Sequence, residues 1–201
     1  MPVIDSIGRL REIIPDYGPR GAAKIRDHIC EQGRTFLSRA SFVLMGTCGD
    51  YGLEVSPKGG VPGFVELTDE RTLLIPEYKG NHLAIGLTNL IADPRIALLA
   101  MRPATDEVLR ITRRAQLLDD VDICNRLSAD GKPALLAIRV AVERAAFHCV
   151  RSARRAGLWE PQRWDDAMHV SFGRIYAEAL AQPDLRETFD RLTKESDATL
   201  Y

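Results

Sequence analysis

The sequence lacks the residue groupings that usually announce chemistry. Its four cysteines, Cys30, Cys48, Cys124 and Cys149, stand at irregular spacings with no C-x-x-C among them. That pattern excludes the usual thiolate zinc signatures and reads as free thiols, mostly buried, in a reducing compartment. His28, His82, His148 and His169 are equally scattered, and only His148-Cys149 sets a histidine beside a cysteine. Neighbours on a strand point to opposite faces, so no metal is expected. No apolar run approaches the roughly 18 residues of a membrane span. The start, "MPVIDSIGRLREII", carries charges where a signal peptide needs an apolar core. A cytoplasmic location with no membrane partner is therefore expected. Neither sign of charge is in excess: 27 Lys and Arg face 28 Asp and Glu, a formal net charge of -1. A nucleic-acid surface needs a basic surplus, so no nucleic-acid partner is expected. The phosphate-cradling G-x-x-x-x-G-K-S/T, the dinucleotide G-x-G-x-x-G, the nucleophile elbow G-x-S-x-G and the zinc motif H-E-x-x-H are all missing.

What is present is an ordinary globular composition, 45% hydrophobic and 27% charged over 201 residues. That length suits one domain, 1–201, with a full core. Residues 5–14 and 20–38 read as helices, the second placing Ile25, Ile29, Phe36 and Leu37 near one face. Helices are thus expected over about 1–40, and again over about 148–201. Between them "SFVLMGTC", "LEVSP", "GFVELT", "TLLIPE", "RIALLAM", "EVLRITRRAQLL" and "PALLAIRVAVERAAFH" read as six or seven strands. In the last, Leu136, Ile138, Val140 and Val142 fall on one face. "NHLAIGLTNLIAD" has helical spacing and stops at Asp93-Pro94, and "DDVDICNRLSAD" reads as a short helix with acids at its start. So many short strands point to a mainly β fold with flanking helices, closed or nearly closed, because closure removes edges.

One stretch combines these features: "SPKGGVPGFVELTDERTLLIPEYKGN", residues 56–81, is rich in Gly and Pro yet holds strand-like runs. It suits a backbone that comes close to something flat and anionic, or simply a hairpin with a lysine at its edge. In order, "FVLMGT", "GLEVSPKG", "PGFVEL", "TLLIPE", "KGN", "NLIADPRIALLA", "EVLRI" and "FHCVRSARRAGLWEP" resemble the FMN-binding split-barrel flavoproteins related to pyridoxamine 5'-phosphate oxidase. Within them the chain looks most like a bacterial subgroup of FMN-dependent flavoproteins, over about Ile7 to Trp164. The resemblance implies a six-stranded antiparallel split barrel, a homodimer and FMN near the dimer interface. It implies an FMN-dependent oxidoreductase acting on a small-molecule substrate. The alternatives are a non-catalytic flavin-binding protein, or a split barrel that binds deazaflavin or haem.

The cofactor-binding residues it implies are Ser56, Pro57, Lys58, Ile75, Pro76, Asn81, His82, Arg110 and Trp159. It supplies no catalytic residue. Elementary chemistry agrees that a phosphate suits a helix N-terminus, here expected at Gly80-Asn81 with Asn81 as cap. Flat apolar walls from Val55, Pro57, Ile75 and Pro76 suit a ring system. Each residue also has an ordinary role open to it. Lys58 and His82 can be surface residues, Arg110 a strand-face charge paired with an acid such as Glu107, and Trp159 a packing residue. Arg151, Arg154 and Arg155 read as a solvated helix face. The chain departs from the subgroup at His82-Leu83, at Pro103-Ala104 and at Arg113.

Overall fold

The computed structural model describes residues 3–80, 82–149 and 151–197. Three short helices come first: α1 (Ile7–Ile13), α2 (Gly18–Ala22) and α3 (Glu31–Leu37). Ser6 caps α1, its hydroxyl accepting the Arg9 N–H at 3.3 Å, yet no residue of α1 is buried. The single helix expected over 20–38 is in fact two. Between α2 and α3 the chain is claimed by tertiary partners. Arg26 exchanges backbone hydrogen bonds with Ala145 at 2.9 and 2.7 Å, and the Ile29 N–H donates to Glu70 O at 2.8 Å. Gly33 is not the break. It sits inside α3, where Ile29 packs over it.

The strands are β1 (Phe42–Gly49), β2 (Gly52–Gly59), β3 (Glu66–Asp69), β4 (Thr72–Glu77), β5 (Arg95–Met101), β6 (Glu107–Leu118) and β7 (Leu136–Cys149). They form one sheet in the order β2-β1-β5-β6-β7-β4-β3, with every pairing antiparallel. The sheet therefore has seven strands rather than the six the resemblance implies. β3 is only four residues long, and the "GF" that precedes it in sequence is not strand.

Three strands separate β1 from β4 in the sheet, yet Val43 and Met45 share one core with Leu73 and Ile75. Only a sheet curled on itself allows that. Alternation does the sorting: Val43, Met45 and Thr47 point inward on β1, as Ile96, Leu98 and Ala100 do on β5. β6 and β7 shift register between Thr112 and Arg113, which leaves Glu143 as an extra residue on β7. Before this bulge the inward residues are Ile138, Val140 and Val142; after it they are Ala145 and the partly buried Phe147. Phe147 meets Phe36 of α3 edge-on at 5.4 Å.

Helix α4 (Ile85–Ala92) packs against β1. α5 (Val121–Arg126) is capped by Asp120, whose carboxylate accepts the Ile123 N–H at 2.9 Å. α6 (Arg151–Ala156), α7 (Phe172–Ala179) and α8 (Arg186–Asp197) follow the sheet. Among the described residues no helix is long and apolar enough to cross a membrane, and no group of three His, Cys, Asp or Glu could hold a metal.

Candidate functional site

β2 is one edge of the sheet, and β4 beyond Leu74 has no β3 partner. These two edges approach each other. Lys58 of β2 donates to the Glu77 carboxylate of β4 at 2.5 Å, with side chains only 13% and 19% exposed. This ion pair marks the seam of the barrel. Around it lies a 380 Å³ cleft lined by Pro57, Lys58, Gly59, Pro76, Glu77 and Gly80, among others. Its size falls in the small-molecule range of about 300–1,000 Å³.

The seam brings together Pro57, Lys58 and Pro76. Ser56 is one residue before Pro57, and alternation on β2 turns its side chain to the same side as Lys58. Ser56 Oγ is buried and makes no hydrogen bond, and neither does the buried Thr47 Oγ1. Both face Gly86 in the first turn of α4, where an added Cβ would stand 3.2 Å from Ser56 Oγ and 3.5 Å from Thr47 Oγ1. A buried hydroxyl without a protein partner is costly and calls for a polar atom beside it, from a bound water or from a ligand. Thr47 and Gly86 escaped the sequence reading. The inward phase of Thr47 on an otherwise apolar strand face was the available signal.

The helix does not open at Gly80-Asn81 as expected. It begins at Ile85, after Ala84 in the left-handed region at φ 50° and with no side-chain cap. Asn81 lies outside the described residues. His82 is exposed and also left-handed, φ 60°, so it belongs to the turn rather than to the first helical turn. Ile75 is fully buried in the core, so its side chain packs the barrel interior and offers no wall to the cleft. The wall comes from Pro57 and Pro76 instead.

Arg110 and Trp159 do not join the seam. Arg110 lies on the outer face of β6 in a separate 520 Å³ cleft with Val55, Leu99 and His148. It is not paired with Glu107; no ion pair of Arg110 is present among the described residues. The His148 imidazole is held below its usual pKa by partial burial, then by Arg110, Lys24 and Arg144. Trp159 is half-buried and lines neither cleft. Arg151, Arg154 and Arg155 are exposed, and Arg154 pairs with Asp106. The outer face beside Arg110 is apolar: Leu53 is 86% exposed and Val55 63%.

A family model described as pyridoxamine 5'-phosphate oxidase matches residues 29–149. Among curated proteins no sequence relative matches. Among solved structures, HupZ of Group A Streptococcus is 15% identical, covering 58% of this chain and 91% of its own, with a TM-score of 0.47. A protein from Clostridium acetobutylicum, related to general stress protein 26, is 14% identical over 59% of this chain and 86% of its own, TM-score 0.46. An F420 reductase is 16% identical over 57% of this chain and 94% of its own, TM-score 0.41.

Proposed function

The chain belongs to the pyridoxamine 5'-phosphate oxidase family, and from that premise we propose that it is an FMN-dependent oxidoreductase working as a homodimer. The observation that carries this reading is the seam cleft, which gathers Pro57, Lys58 and Pro76 beside the unsatisfied Ser56 hydroxyl. These residues fit a flat, phosphorylated cofactor. Lys58 supplies a cation, Ser56 Oγ a hydrogen bond, and Pro57 and Pro76 an apolar wall without competing N–H groups. The first N–H groups of α4, at Ile85, Gly86 and Leu87, have no intrahelical acceptor and favour an anion. When bound, the flavin supplies the redox chemistry. The chain's own task is to bind and orient it and to keep water from one face. Glu77 tunes this: an incoming phosphate must share Lys58 with the Glu77 carboxylate.

Exposed apolar surface supports the dimer reading. Val55, Leu53 and Phe42 of β1 and β2 are apolar and exposed, as is every apolar residue of α1. A second copy covering this face would exclude water from Arg110 and close the cofactor site.

The visible spectrum of the purified protein tests the cofactor, since flavin, deazaflavin and haem differ in absorption. FMN is expected to bind more tightly than riboflavin, and Lys58→Ala is expected to weaken FMN by roughly tenfold while leaving riboflavin unchanged. Equal FMN affinity in wild type and variant would remove Lys58 from the site. Reduction by NADPH or NADH, then reoxidation by an added acceptor, separates an oxidoreductase from a non-catalytic flavin carrier.

A further inference from the structure

Outside the seam cleft, over the outer faces of β6 and β7, arginines collect. Two adjoining clefts of 800 and 760 Å³ lie over the outer faces of β6 and β7, and they share Arg113 and Arg114. Neither shares a lining residue with the seam cleft. The chain as a whole has a formal charge of -1, so this concentration is not a by-product of a basic protein.

Most charges here have internal partners. Arg113 pairs with Glu143, Arg126 with Glu66 at 3.0 Å, and Arg95 with Asp93 at 2.5 Å. Arg139 donates to the neutral Gln116 amide at 2.5 Å. Arg26, Arg114 and Arg144 are different: among the described residues their side chains make no hydrogen bond or ion pair. All three line the cleft beside the Glu143 bulge.

The arrangement is also one that folding alone would avoid. Arg95 and Arg114 are directly opposite in the β5–β6 register, both on the outer face. Like charges placed so repel by a few tenths to about 1 kcal/mol, and Asp93, which pairs with Arg95 and also feels the charge of Arg114, offsets part of that cost. The bulge at Glu143 adds to the crowding, because it turns both Glu143 and Arg144 outward. The backbone bridge from Arg26 to Ala145 then pins a further arginine to the same spot.

We propose that this arginine-lined cleft binds a small organic phosphate, at a site separate from the seam. Guanidinium groups present a fixed fork of donors that matches phosphate oxygens, and three unpaired forks stand around one cavity whose two carboxylates, Asp27 and Glu143, are already paired with Arg71 and Arg113. The adjoining cleft has an apolar floor of Leu74, Leu118 and Ile123, which suits the organic body of such a molecule. The cavity scale is that of a metabolite rather than of a nucleic-acid track.

Pyrophosphate serves as the probe, with sodium chloride at matched ionic strength as the control. Calorimetric titration is expected to show saturable pyrophosphate binding to the wild type. The double variant Arg114→Gln/Arg144→Gln is expected to lose at least roughly tenfold in affinity. Lys58→Ala is expected to retain the wild-type affinity, which separates this site from the flavin reading. Arg114→Gln by itself is expected to fold and to melt near the wild-type temperature, because the repulsion with Arg95 and the attraction to Asp93 that it removes oppose each other. The proposal is overturned by an absence of saturable binding, by equal binding in the double variant, by a matching loss in Lys58→Ala, or by chloride reproducing the whole effect.

Discussion

Asn89 shows how much one buried polar side chain can organise. It is 0% exposed, sits in α4, and reaches the β1–β2 turn. Its Nδ2 donates to Gly52 O at 3.0 Å and its Oδ1 accepts the Tyr51 N–H at 3.2 Å. The fit is close enough that a Cβ on Gly49 would come within 2.7 Å of the Asn89 Cα. Asn89→Leu keeps the branched outline, though it is bulkier, and removes both hydrogen bonds that tie α4 to the Tyr51–Gly52 turn. A loss of about 1–3 kcal/mol is expected, read from the urea midpoint. His148 makes a second case. Its pKa is depressed, so the unfolded chain takes up the proton first as pH falls through its ordinary value of about 6.5. Stability should therefore decline over that window, as linkage requires when the unfolded state binds more protons. His148→Gln is expected to flatten the slope of melting temperature against pH between roughly pH 7 and 5. An unchanged slope would move the effect to another group.

At the scale of elements, the β7 bulge and the α7–α8 pair each depend on one local feature. Deleting Glu143 would restore plain alternation, with Val142 inward, Arg144 outward, and Ala145 and Phe147 inward as they are now. That deletion is expected to keep the near-ultraviolet circular dichroism of the folded protein, because the core residues hold their faces, and its loss would show that the bulge itself is needed for the fold. Glu143→Ala keeps the residue count and loses only an exposed pair with Arg113, so a change within about 0.5 kcal/mol is expected. In the C-terminal helices, Asp190 of α8 accepts the Gly173 N–H at 2.8 Å and the Ser171 hydroxyl at 3.0 Å. Its carboxyl is held below the ordinary value first by the Gly173 N–H bond. The helices approach so closely there that a Cβ on Gly173 would collide with Arg186 O. Asp190→Ala is expected to raise amide exchange across Phe172–Ala179 at neutral pH. A depressed carboxyl stabilises above its unfolded value and loses that effect as pH falls, so the difference between wild type and variant should shrink in acid.

For the molecule as a whole, the seam decides whether the sheet closes. Lys58→Met leaves Glu77 half-buried without its cation, and a loss of about 1–3 kcal/mol is expected, between the values for exposed and fully buried pairs. The exchanged pair Lys58→Glu/Glu77→Lys should recover part of it, which thermal melting can check. The apolar outer face makes the other prediction at this scale. Val55→Glu places a charge in the face proposed to meet a second copy. Light scattering is expected to show a dimer for the wild type and a lighter species for Val55→Glu.

Much of this molecule is determined by local pattern. Alternating Val43, Met45 and Thr47, or Ile138, Val140 and Val142, commits each run to a strand with one inward face whatever surrounds it. Asp93-Pro94 ends α4 by steric exclusion, and Asp120 starts α5 with its own side chain. The glycines and prolines of residues 56–81 likewise mark a place where backbone comes close, and Pro57, Lys58 and Pro76 do meet there. What the tertiary structure alone decided depends on partners distant in sequence. Helical spacing over 20–38 yields to the Arg26–Ala145 bridge, because a ladder hydrogen bond to a distant strand competes with the helix. Ile75 looks like a cleft wall in sequence, but alternation sends it inward once β4 pairs with β7. Glu77 becomes the partner of Lys58, and Arg114 the neighbour of Arg95, only when the sheet curls and sets its register. Charges and hydroxyls carry no periodic signal of their partners, so where they meet is settled by closure of the barrel.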